Sequence, residues 1–153
     1  MKRSIVCAAF SLWAACGEDV QHNSLVDTGE LCVSGEGVDR LQNLDGVFTK
    51  IEPGQPLSIG VQLDGCLSAS CDTERSASCH VELDRDRIVV TSRLAWKSRG
   101  GDCTADCGLL QAHCDSPPLE AGQYRVHLGK TAAQSITVPG NVPSRCVEVG
   151  PSR

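Results

Sequence analysis

From residue 47 onward, apolar and polar residues alternate with a period of two along much of the chain. Leu57, Ile59, Val61 and Leu63 are separated by Ser58, Gly60 and Gln62 and preceded by the turn-forming Glu52-Pro53-Gly54. Successive side chains of an extended backbone point to opposite faces, so this spacing predicts a half-buried strand. Cys79, Val81 and Leu83 alternate with His80 and Glu82. The charged run Asp84-Arg85-Asp86-Arg87 follows, and then Ile88-Val89-Val90-Thr91, a pattern that predicts a hairpin with a solvated turn. Tyr124, Val126 and Leu128 alternate with Arg125 and His127, Gly129-Lys130 turns the chain, and Ile136 and Val138 resume the alternation. Weaker strands are expected at residues 47–51 and 146–149. A single helical turn near residues 105–112 is the only competing signal. About seven short strands with Gly, Pro, Asp and Ser between them predict an all-β fold, a small antiparallel β-sandwich.

The first 31 residues do not follow this pattern. Met1-Lys2-Arg3 is basic, and twelve mostly apolar residues follow up to Ala15. A basic start and a short apolar segment make a secretory signal peptide, too short to span a bilayer permanently. Residues 17–31 are acidic and polar without periodicity, which predicts a flexible tether. The expected organisation is therefore a signal at 1–15, a tether at 16–31, a disulfide-rich domain at 32–149 and a short tail at 150–153.

The end of the apolar segment, Leu12-Trp13-Ala14-Ala15-Cys16-Gly17, resembles a bacterial lipobox, with Trp13 standing where leucine is usual. That resemblance implies cleavage before Cys16, transfer of a diacylglycerol carrying fatty-acyl (palmitate-type) chains to its thiol, and a membrane anchor, since each buried methylene adds about 0.8 kcal/mol. Gly17 lacks the aspartate that retains such proteins in the inner membrane of enteric bacteria, which implies an outer-membrane location in the cell envelope.

Charge narrows the function classes further. The chain has 14 Lys plus Arg against 19 Asp plus Glu, a net charge of −5 that becomes −7 once Lys2 and Arg3 leave with the signal. There is no basic stripe of the kind nucleic acid requires, so no nucleic-acid partner is expected. Only Phe48, Trp96 and Tyr124 remain as aromatics beyond residue 15, too few for a bulky core.

Cysteine is the substitute. With Cys7 in the signal and Cys16 acylated, eight remain: Cys32, Cys66, Cys71, Cys79, Cys103, Cys107, Cys114 and Cys146. An even number in an exported chain predicts four disulfides, with the pairing open. Parity constrains it, because neither the Cys66/Cys71/Cys79 triplet nor the Cys103/Cys107/Cys114 triplet can pair wholly within itself. At about 2–4 kcal/mol each, four bridges rival the net stability of an ordinary domain. A zinc site is the alternative for these spacings, but C-x2-C knuckles are absent, and no metal or other cofactor is expected.

Motifs for catalysis are missing. Gly129-Lys130-Thr131 echoes the end of a phosphate-binding loop but lacks the first glycine, and Asp84-Arg85-Asp86-Arg87 lacks the ligand spacing of a calcium loop. Neither Gly-x-Ser-x-Gly nor His-Glu-x-x-His occurs, and no enzyme activity is expected. Trp96, with Lys97 and Arg99 in the glycine-rich stretch that follows, is the candidate anchor for a protein partner; the alternative role for Trp96 is packing against a disulfide in the core.

The segment Leu119-Glu120-Ala121-Gly122-Gln123-Tyr124-Arg125-Val126 resembles the L-x-x-G-x-Y-x-V strand of bacterial immunoglobulin-like domains. Together with the lipobox, Cys66-Leu67-Ser68-Ala69-Ser70-Cys71 and Cys103-Thr104-Ala105-Asp106-Cys107-Gly108, it makes the chain similar to small cysteine-rich lipoproteins of the myxobacterial type. This resemblance implies location and an immunoglobulin-like fold, with no established family chemistry. The expected function is that of a non-enzymatic, envelope-anchored structural or protein-binding module. An exported hydrolase inhibitor presenting a locked loop, residues 67–70 or 97–102, is the alternative.

Overall fold

A computed structural model describes residues 20–35 and 47–150. They form ten strands in two five-stranded sheets. The first sheet contains β1 (Val20–Val26), β5 (Asp72–Asp84), β6 (Arg87–Arg99), β8 (Gly122–Leu128) and β9 (Thr131–Val138). The second runs in the order β3 (Val47–Ile51), β10 (Gly140–Val149), β2 (Gly29–Ser34), β4 (Ser58–Gln62) and β7 (Gln111–Asp115).

The long β6 organises the first sheet. One edge pairs with β5, forming the expected hairpin in which Asp84 faces Arg87 across the turn and Arg85 takes a φ of 56°. The other edge is shared. Residues 93–99 pair antiparallel with β1, and residues 87–90 pair with β8 in the one parallel ladder among the described strands. The turn at Gly129-Lys130 is also observed, linking β8 to β9.

Alternation buries one face of each sheet against the other. Leu31, Val33, Ile59, Val61 and Val142 from the second sheet meet Ile88, Val90, Val126, Leu128 and Ile136 from the first in the principal core. A second, smaller cluster of Leu63, Leu67, Leu94, Trp96, Leu110 and Ala112 lies towards the far end of β6. The fold is thus an all-β sandwich carrying four disulfides: Cys32–Cys146, Cys66–Cys107, Cys71–Cys103 and Cys79–Cys114. All three cysteines of one triplet pair with the other triplet, where parity demanded only that at least one bond leave each.

Two expectations are corrected. Residues 20–31, read as tether, form β1 and the start of β2. β1 is held by its backbone ladder to β6, and most of its side chains are exposed, so it needs no apolar periodicity. The chain then crosses between sheets at Asp27–Gly29. There the Asp27 amide donates to the Ser92 carbonyl and its carboxylate accepts from the Ser92 amide, and Gly29 (φ 132°) passes so close to Gln62 that a Cβ would lie 2.4 Å from its carbonyl oxygen. The helical turn expected near residues 105–112 is absent: an irregular loop runs into β7, an edge strand. Residues 1–19, which include the expected signal and Cys16, lie outside the described residues.

Candidate functional site: a cross-linked loop pair

Beyond β4 and β6, composition turns to Gly, Ser, Ala and Asp, residues that favour turns over ladders. The segments around 64–71 and 100–109 leave the sheets as loops and are fastened to each other. Leu67 and Gly108 exchange backbone hydrogen bonds of 3.0 and 2.8 Å. Cys66–Cys107 and Cys71–Cys103 close the pair on either side, with Cα separations of 4.8 and 5.5 Å.

A polar web fills the space between the bridges. Asp106 accepts from the Ala69 amide at 2.9 Å, Asp72 accepts from the Ser68 amide at 2.8 Å, and the Thr104 amide donates to Ser70 Oγ at 2.9 Å. Asp106 also accepts from the Thr104 hydroxyl, and this contact, followed by the Ala69 amide, holds its carboxyl below the usual range. The arrangement satisfies loop amides that would otherwise rely on water. Residues 101–107 nevertheless remain exposed, as does Ala69. The result is a stiff, solvent-facing projection.

Trp96 lies beneath this projection. It is 9% exposed and belongs to the cluster that also holds Leu67 from one loop and Leu110 from the exit of the other. Cys79, bridged to Cys114, packs against the same cluster. Lys97 is half-buried and paired with Glu74, whereas Arg99 is exposed and donates from Nε to the Ser70 carbonyl at 3.1 Å. Trp96, Lys97 and Arg99 therefore do not share one surface. The tryptophan supports the loops, and the exposed face is made by 69 and 101–107, which sequence marked only through its cysteines and glycines.

Chemistry elsewhere is sparse. All eight domain cysteines are in disulfides, and among the described residues no group of three or more His, Cys, Asp or Glu is placed to hold a metal. His22, His80 and His113 are exposed, His127 is buried, and none of the four is hydrogen-bonded to a serine. A shallow cleft beside Leu25, Gly29, Leu63 and Val149 measures about 100 Å³, below the ~300–1,000 Å³ of typical small-molecule sites. Among the described residues no helix is long and apolar enough to cross a membrane. No protein family, curated protein or solved structure matches this chain.

Proposed function

We propose that the protein is an exported, lipid-anchored envelope protein, a small cysteine-rich lipoprotein of the myxobacterial type acting as a non-enzymatic structural or protein-binding module. The observation that carries this reading is the doubly bridged loop pair. Two loops fixed to each other by covalent bonds lose little conformational entropy on contact with a partner, which favours recognition by a preorganised surface. Four disulfides suit an oxidising compartment outside the cytoplasm. Cys16 after Ala14-Ala15 supplies the acylation site, and Gly17 directs the anchor to the outer membrane. Tyr124, buried at the start of β8, donates its hydroxyl to the Glu120 carbonyl at 2.9 Å. That contact resembles the tyrosine corner of sandwich domains and supports the immunoglobulin-like reading.

Two measurements test it. Intact-mass spectrometry of membrane-extracted protein, with and without reduction, should show loss of residues 1–15, acyl chains on Cys16 and a gain of two hydrogens per reduced bridge. An unacylated chain that retains residues 1–15 rejects the anchor. A photo-crosslinking residue at Ala105 should capture an envelope protein, and one at Thr137, exposed on β9, should not. Equal capture at both positions, or none at either, rejects the loop pair as the contact surface.

The stiffness of the Ser68-Ala69-Ser70 segment favours a second reading, an exported hydrolase inhibitor, because a clamped loop resists productive cleavage. Incubation with a panel of secreted proteases decides it, and absence of inhibition at micromolar protein removes the idea.

A further inference from the structure

Arg87 on β6 and Arg125 on β8 stand opposite each other in the parallel ladder, and His127 follows two residues beyond Arg125. Ile88, Val90, Val126 and Leu128 point into the core, so alternation turns Arg87, Arg125 and His127 outward on one common face. An outward residue of a sheet is ordinarily wet. His127 is only 8% exposed, and neither of its ring nitrogens makes a well-aligned hydrogen bond among the described residues. Among the described residues Arg87 makes no ion pair, and its Nε is likewise buried and unpartnered. Arg125 alone has a carboxylate, Asp86, at 2.8 Å.

Buried nitrogens without partners cost free energy, and native folds keep few of them. Three occur here on two adjacent side-chain rows, beside two guanidiniums. Burial, then Arg87 and Arg125, hold the His127 imidazole below its ordinary pKa, while a loose backbone hydrogen bond to Lys130 and the Asp86 carboxylate pull the other way. The patch has a surplus of positive potential and of donors, with Asp86 the one carboxylate in contact among the described residues. A carboxylate offers two acceptor oxygens. Donors converging from three side chains on two strands suit an oxyanion with three or more.

We propose that Arg87, Arg125 and His127 form a binding site for a phosphate group on the outer face of the first sheet. Phosphate would accept from both guanidiniums and from His127, which gains a proton more readily once the anion is present. Charged groups around the imidazole are Arg87 on β6, Arg125 on its own strand, Asp86 and Lys130 in the flanking turns and Glu82 across Val89 on β5; its β9 partner is Ala132. The site lies about 40 Å along β6 from Arg99 at the strand spacing of ~3.3 Å per residue, so it stands or falls independently of the loop pair.

The test follows the backbone amide resonances of residues 125–128 by NMR in the oxidised full chain at mildly acidic pH while inorganic phosphate is added. A saturable shift is expected, with affinity weakened by about tenfold or more in Arg87→Gln and in His127→Gln. Arg93→Gln, at an exposed position further along β6, should bind as the wild type does. Arg87 is partly exposed, so R87Q provides a readout even if H127Q folds poorly. A second arm measures co-sedimentation with phosphatidylcholine vesicles containing phosphatidic acid. Vesicle binding that R87Q abolishes, with free phosphate silent, assigns the phosphate to a lipid headgroup and supports the site. Phosphate or vesicle binding that R87Q leaves unchanged, or no binding in either arm, overturns it.

Discussion

Cys79 on β5 and Cys114 on β7 form a covalent tie between the two sheets, and Cys79 touches both apolar clusters. The other three bridges act differently. Cys32–Cys146 joins directly opposed residues of neighbouring strands within the second sheet, and the remaining two fasten loops. Holding the sheets face to face thus depends on apolar contact plus this single link among the described residues.

The link closes a separation of 35 residues, for which the chain-entropy estimate is about 4 kcal/mol. The C79A/C114A double variant is expected to lose stability of that order in urea unfolding. Its denaturant slope should rise slightly, because the unfolded chain without this cross-link is less compact and exposes more surface. A loss under ~1 kcal/mol would mean that the apolar interface alone holds the sheets.

The loop bridges are nested, Cys71–Cys103 inside Cys66–Cys107, with separations of 32 and 41 residues. With either bridge intact, the other closes only a short ring of about ten residues, so its own contribution falls to about 3 kcal/mol. Removing both opens the long loop as well. The quadruple variant C66A/C107A/C71A/C103A should therefore lose more stability than the two double variants summed. Simple additivity would show that the polar web of Ser68, Ser70, Thr104 and Asp106, and not the nested bridges, sets the loop geometry.

The alternating segments were legible because each buries one face: Leu57 to Leu63, Val81 to Val90 and Tyr124 to Val138 all lie where their period places them. β1 was not. Val20 and Val26 are exposed, and the strand is held through its backbone by β6, so its side chains carry no two-fold signal. β7 buries only Ala112 and reads as a loop. Cysteine parity showed that bonds must leave each triplet, but the partners depend on which loops the sheets bring together. The sequence marks His127 as an outward strand residue, and its burial arises from neighbours on β6 and in the turns that no local pattern records.

Trp96 illustrates the same limit at the candidate site. It belongs to the inward row of β6, with Leu94, and underpins Leu67 and Leu110. Trp96→Ala should cost about 3–5 kcal/mol and should speed hydrogen exchange at residues 101–110 more than in β8 or β9. A variant that keeps its stability and loses only partner capture would instead make Trp96 a contact residue.

The pH dependence of stability follows from the buried imidazole. His127 has a pKa below the ordinary 6.5, because burial and then Arg87 and Arg125 disfavour its charged form. The folded chain therefore binds this proton less readily than the unfolded chain does. Stability should be greatest above 6.5, should decline as pH falls through that value, and should level off below the folded-state pKa of His127. Asp86 and Asp106 behave separately. Both are held below 3.8, Asp86 chiefly by the Arg125 hydrogen bond and Asp106 by Thr104, so their contributions persist above 3.8 and disappear as pH drops further. Urea midpoints across this range should show two declines, one in mildly acidic solution and one in strong acid. His127→Gln should remove the first and leave the second. If H127Q keeps the first decline, another group carries it, and the burial of His127 has no part in the acid sensitivity of the fold.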